Sequence, residues 1–260
     1  MNFINQHCCL SELEMFASHR RQNILIAGSV GCGKSYLAKQ YANMLGIVDF
    51  QIVDAKVNTI REVIDTCYQV GNPVVLCIEN LDIGTVAASY TILKFLEEPA
   101  PNVYLVITCR NIDNIPDTIV SRCAIINVPH VVSSDLVQYA LSKDAEQYKL
   151  LSNTNVWACA TSFTDVDTLL MLNSAQLSYI SNIYNVLNSG DCVSSIVWNL
   201  QKFPDGTPTP TELVFRYILR SAPSPSAWNS AHACLQSMQS GNISTHATLS
   251  KFVFMYKYVN

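Results

Sequence analysis

Residues 28–35 read Gly-Ser-Val-Gly-Cys-Gly-Lys-Ser and fit the phosphate-cradling pattern Gly-x-x-x-x-Gly-Lys-Ser without a mismatch. No other stretch restricts the fold of this chain as much. The glycines Gly28, Gly31 and Gly33 let the backbone curl, so that the N–H groups of the loop, through Ser29, Val30 and Cys32, can turn inward toward a polyphosphate. A helix opening directly after the loop adds its positive N-terminal end. Lys34 is then the candidate for the β- and γ-phosphates. Ser35 offers a hydroxyl to Mg2+, a small octahedral ion that takes few protein ligands. A Gly-rich surface turn matching by accident arises in on the order of 1% of chains this long. Context lowers that figure: residues 23–27, Asn-Ile-Leu-Ile-Ala, read as a buried parallel strand, and residues 35–45 carry apolar residues at helical spacing and stop at Gly46.

The chain has 260 residues, 49% of them hydrophobic, enough to bury a substantial core in one large domain or in two to three small ones. Its apolar runs are too short to cross a bilayer, and its first residues lack a charged region followed by an apolar one, so a protein without membrane attachment is expected. Ten cysteines are scattered, with no Cys-x-x-Cys pair, and the five histidines are far apart, so no structural zinc site is expected. Charged residues make up 14% with a net charge of −4, which excludes a broad basic face for non-specific nucleic-acid binding.

Ser11 and Glu14 have capping-box spacing and predict a short helix to about Arg20. Strands are expected at 23–27, 50–54, 74–78, 103–108 and 124–128, with helices at 35–45, 58–70 and 86–97, the last ended by Pro99. This alternation predicts an α/β layer with a five-stranded parallel sheet, whose ligands sit at the carboxyl ends of the strands. After Pro129 helical spacing takes over. Short helices are expected at 133–141, 145–151, 155–160 and 165–172, then, past a break near Asn173, longer ones at 177–187, 192–201, 211–221, 226–238 and 245–258. Pro/Gly-rich segments at 204–210 and 222–225 separate members of this last group. The division expected is a nucleotide-binding domain at 1–129, a small helical lid at 130–175 and an all-α domain at 176–260.

Nucleotide hydrolysis needs a carboxylate beside the phosphate loop for the Mg2+ shell and an acid to polarise water. Glu79, at the end of the third strand, suits the first role. Asn80 follows where the second acid is expected, and an amide cannot accept the proton.

Residues 92–99, Ile-Leu-Lys-Phe-Leu-Glu-Glu-Pro, residues 102–107, Asn-Val-Tyr-Leu-Val-Ile, and residues 115–123, Ile-Pro-Asp-Thr-Ile-Val-Ser-Arg-Cys, resemble the ATPase subunits of DNA polymerase clamp loaders, members of the AAA+ family of the gamma and delta-prime kind. Ile60-Arg61-Glu62 is also similar. The match spans about residues 20–130; beyond them only the layout of a lid and a helical collar agrees. The resemblance implies a P-loop AAA+ domain followed by lid and collar. It further implies a cytoplasmic subunit, of a bacterium or an infected host cell, that binds ATP and Mg2+. Its partners would be other clamp-loader subunits in a hetero- or homo-pentamer, a sliding clamp, and the primer–template DNA onto which the clamp is loaded. Residues 58–61, at the start of a helix, correspond to helix starts that line the DNA channel of the family. Arg122 corresponds to the arginine finger, delivered to a neighbour's ATP site.

The departures are equally specific. The acidic pair of the family is Asp-Glu, here Glu79-Asn80, although Asp82 keeps the last acid. Arg110 falls at the sensor position of the fourth strand, with Asn111 beside it. The lid arginine would fall near Thr164, and the bacterial zinc insert is missing. Shortness and divergence resemble a phage-encoded or otherwise divergent subunit. The expectation is a site that holds ATP and hydrolyses it weakly, while Arg122 serves a neighbour. The alternatives are a hydrolysis-deficient, stator-like subunit and an unrelated AAA+ motor such as a branch-migration enzyme.

Overall fold

The computed structural model describes residues 7–70, 72–188, 191–203, 206–221, 225–239 and 244–258. Residues 1–6, which open the sequence, and parts of the two Pro/Gly-rich segments, 204–205 and 222–224, lie outside these. The chain divides into two compact units, Met1–Asp135 and Leu136–Asn260.

The first unit alternates strands and helices in the order α1 (His7–Ser18), β1 (Asn23–Ala27), α2 (Lys34–Leu45), β2 (Asp49–Asp54), α3 (Val57–Val70), β3 (Val74–Glu79), α4 (Val86–Glu97), β4 (Val103–Cys109), α5 (Asp117–Val120) and β5 (Ala124–Asn127). Every pairing is parallel and the sheet order is β2-β3-β4-β1-β5. Both faces are covered, so the central strands are mostly apolar; β4 is buried at all seven positions. Side chains alternate between the faces. Leu25, Leu76, Ile78, Leu105 and Ile107 meet Ile60, Ile92 and Phe95 of α3 and α4 in one core cluster. Ile24, Ile26, Val75, Cys77 and Val106 meet Leu13, Leu37 and Tyr41 of α1 and α2 in another. The expected five-stranded parallel layer is therefore the one observed.

Helix α1 starts at His7, a turn before the expected Ser11, so Ser11 and Glu14 lie inside it and do not cap it. The reason is packing: Cys9 and Leu13, one turn apart on one face, are both buried, which extends the apolar stripe toward the N-terminus.

The second unit is helical: α6 (Ser133–Lys143, which straddles the boundary), α7 (Ala145–Ser152), α8 (Phe163–Leu170), α9 (Ser174–Ser181), α10 (Ile183–Leu187), α11 (Val193–Gln201), α12 (Thr211–Ser221), α13 (Pro225–Gln239) and α14 (Thr245–Tyr258). One core cluster runs from Leu151 to Val253. The helix expected at 177–187 is two helices. Asn182 separates them, its side-chain Nδ2 donating to Ser178 O at 2.9 Å and its backbone N–H to Ser178 O and Tyr179 O, both at 3.1 Å. Residues Asn155–Cys159 form a 3-10 turn where an α-helix was expected. The break near Asn173 is a capping box with Gln176 that opens α9.

Candidate nucleotide-binding site

The phosphate-loop residues leave the carboxyl end of β1 and enter α2 directly. Gly31 and Gly33 have φ of 70° and 96°, in the left-handed region open to glycine. Gly28 is required for a different reason: a Cβ there would meet Cys32 Sγ at 2.8 Å and Val128 Cβ at 3.0 Å. Its N–H donates to Cys109 O, which fastens the loop to the end of β4. Cys32 is buried, and burial pushes its thiol pKa up against the opposing pull of Lys34. Val30, in contrast, is exposed at the tip of the loop.

Lys34 is only 7% exposed, and its ammonium donates to Gly28 O and Ser29 O, both at 2.8 Å. A buried ammonium satisfied by loop carbonyls holds its positive charge inside the curl of the backbone. Ser35 Oγ donates to Glu79 Oε1, joining the first turn of α2 to the end of β3. Hydroxyl and carboxylate are hard oxygen donors that suit Mg2+. Among the described residues no group of three or more His, Cys, Asp or Glu is placed to hold a metal ion. Backbone curl, enclosed ammonium and paired oxygen ligands thus fit a magnesium nucleotide.

Asn80 turns the chain sharply, at φ 50° and ψ 53°, and its N–H donates to Thr108 Oγ1 at 3.0 Å. Thr108 is 1% exposed, near the end of β4, and lies opposite Ile26 of β1. It is the polar side chain that the structure brings to Asn80. Arg110, read from the sequence as the sensor, lies just past β4 with its Nε buried and without a hydrogen-bond partner. Asp82 accepts from the N–H of Asn111 at 3.3 Å through Oδ2, while its Oδ1 is buried and unpartnered. Burial raises the Cys109 pKa to about 11, Asp82 adds to the rise and Lys34 opposes it, so both charges are felt at the end of β4.

Arg122 is elsewhere. It precedes β5, whose Ala124 pairs with Ile24 at the start of β1, so it stands at the amino edge of the sheet. The phosphate loop leaves the other end of β1. The five residues of β1 make four steps of about 3.3 Å, so the two edges are about 13 Å apart. Arg122 Nη1 donates to Thr118 O at 2.7 Å and Nη2 pairs with Glu97 Oε1 at 2.8 Å. Glu97 is the last residue of α4; its pairing with Arg122, 25 residues away, had no signal in the sequence. Thr164 is exposed in α8, and the nearby Asp165 is held by Arg216 of α12.

Residues 47–131 match the family described as DNA polymerase III, delta subunit. The fold is that of an AAA+ protein. A DNA polymerase III gamma-subunit-related protein of Thermotoga maritima superposes with a TM-score of 0.56 at 15% identity, covering 95% of this chain and 98% of that one. The RuvB Holliday junction branch migration motor of Thermotoga maritima gives a TM-score of 0.53 at 15% identity, covering 98% and 87%. No curated protein sequence matches the chain. The family match within residues 47–131 supports the resemblance to clamp-loader ATPase subunits, and the solved structures agree with the fold. No helix among the described residues is long and apolar enough to cross a membrane.

Proposed function

We propose that this chain is an ATP-binding subunit of a sliding-clamp loader, working in the cytoplasm of a bacterium or an infected host cell. Residues 1–129 are its nucleotide domain, 130–175 its lid and 176–260 its collar, joining other subunits in a pentamer that opens a clamp around primer–template DNA. What carries the reading is the combination of a phosphate loop backed by Glu79 with the match to a DNA polymerase III subunit family over the adjoining residues.

In this reading the backbone of residues 28–33 and the ammonium of Lys34 bind the phosphates, and Ser35 and Glu79 hold the metal shell. Bound Mg2+ would neutralise charge on the β- and γ-phosphates. Asn80 orients water through its amide without taking a proton. Arg122, at the opposite edge of the sheet from its own loop, serves the site of the next subunit. Arg110 contributes a cation beside the strand end.

A second reading has one observation in its favour. The position expected to hold a proton-accepting acid is an amide, which fits a stator-like subunit that binds ATP without hydrolysing it.

Calorimetry with Mg-ATP and turnover in the assembly with clamp and primed DNA separate these. Lys34→Ala is expected to abolish binding. Arg122→Ala is expected to leave binding by this chain intact and to reduce turnover by the assembly about 10³-fold at the affected site. Equal loss of binding in both variants rules out the trans role, and brisk turnover by the chain alone rules out the weak-hydrolysis reading.

A further inference from the structure

The surroundings of Arg122 contain more than the finger requires. A cleft of about 340 Å3 opens beside it, lined by Arg21, Asn23, Pro99, Ser121 and Cys123 among others. Asn23, the first residue of β1, spans the floor of this region: its Nδ2 donates to Leu96 O at 3.1 Å and reaches Arg122 O at 3.5 Å. One amide thereby ties the last turn of α4 to the segment before β5. That tie fixes the distance between two neighbouring side chains, Glu97 from α4 and Arg122.

The side chains of Arg122 and Glu97 are 36% and 54% exposed, so their ion pair faces solvent. A pair this exposed is weak and screened. Phosphate oxygens offer a guanidinium stronger, bidentate partners. The second bond of the guanidinium, from Nη1 to Thr118 O, goes to backbone and does not depend on Glu97. The arrangement therefore has one fixed anchor and one exchangeable one.

We propose that Glu97 is the positioning residue of Arg122, an inference that rests on the finger reading above. Its carboxylate holds Nη2 in a set plane while no neighbour is docked and yields it to the phosphate of a nucleotide held by the adjoining subunit. Thr118 O keeps Nη1 throughout. Glu97 touches no nucleotide and acts only through Arg122.

Two measurements test this. Phenylglyoxal adds to guanidinium groups, and peptide mass spectrometry reads its rate at Arg122 in the isolated chain. Glu97→Ala is expected to speed labelling of Arg122 about 2- to 5-fold relative to Arg21, the change an exposed pair controls. Glu97→Gln, which keeps an acceptor oxygen, is expected to speed it less. In the assembly purified with its neighbour subunits, Glu97→Ala is expected to lower kcat about 3- to 10-fold through loss of orientation, with KM for ATP unchanged. Glu97→Gln restores most of that loss, and on an Arg122→Ala background Glu97→Ala changes nothing further. Equal labelling in all three forms, or a full Glu97→Ala effect on the Arg122→Ala background, overturns the proposal. Arg122→Ala without effect on turnover overturns the finger reading and this role with it. A harmful Arg122→Ala beside a harmless Glu97→Ala overturns only the role of Glu97.

Discussion

Asn80 has two properties that pull on any experiment at that position: it lacks a proton-accepting carboxylate, and its backbone is left-handed at φ 50°. Asn enters that region easily, whereas other L-residues lose about 1–2 kcal/mol there. Urea unfolding is therefore expected to show Asn80→Gly as stable as the parent and Asn80→Glu weaker by about 1 kcal/mol. A Glu variant that gains turnover must be judged against that deficit. Gly28 is the complementary case, since its φ is unremarkable and its need is space. Gly28→Ala drives a methyl into Cys32 Sγ and Val128 Cβ, and a loss of about 1–3 kcal/mol in thermal unfolding is expected, with weakened nucleotide binding. At this scale the sequence was legible where a residue acts through its own type and its neighbours in the chain. The loop glycines, Lys34, Ser35 and Glu79 fall in that class. Thr108 does not, because its hydroxyl meets Asn80 only through the parallel register of β3 and β4, which no local pattern encodes.

The strands and long helices were legible because their periodicities report burial directly. Buried runs bounded by Gly, Pro and Asn gave β1, β3 and β4, and α4 and α12 have the expected ends. What sequence missed are Asn182, whose polar side chain competes with the helix and divides α9 from α10, and the buried apolar stripe that carries α1 past Ser11. The start of α8 shows the same competition used constructively. Ser162 caps it, accepting from Asp165 N–H, while Asp165 accepts from Thr161 N–H and Thr161 Oγ1, both at 2.9 Å, and from Arg216 Nη1. Arg216 also pairs with Glu212, and its side chain is only 15% exposed. Removing one partner of so enclosed a pair leaves the other charge uncompensated. Arg216→Met is expected to cost about 2–4 kcal/mol in urea unfolding. Arg216→Met with Asp165→Asn is expected to cost less than Arg216→Met alone, because the enclosed carboxylate of Asp165 is then not stranded, and that of Glu212 is half exposed to solvent.

Across the whole molecule the scattered thiols and the division into two units set global behaviour. Burial pushes Cys77 in β3 up to about 12, with Glu79 adding to it, and Cys109 in β4 up to about 11, from the ordinary 9.0. Both folded pKa values are raised, so the unfolded thiols ionise first as pH climbs. Stability from this source is level below pH 9 and falls above it, by about 1.4 kcal/mol per pH unit for each thiol until its folded pKa is reached. Urea unfolding at pH 8, 9.5 and 10.5 measures the slope, and Cys77→Val is expected to flatten it where lysine and tyrosine titration is common to both proteins. Nucleotide acts on a different axis. The residues proposed to bind it all belong to Met1–Asp135, and the cluster from Leu151 to Val253 is a core of the other unit. A ligand stabilises the cooperative unit that binds it, by about 2.7 kcal/mol at 100 times its dissociation constant, which slows exchange from globally opened states about 100-fold. Hydrogen exchange with saturating Mg-ATP is therefore expected to protect β1, β3 and β4 by that order and to leave α11 to α14 within a few-fold of their free rates. Uniform protection of both units instead means that the helical core opens only together with the sheet, and Lys34→Ala must then remove protection from both.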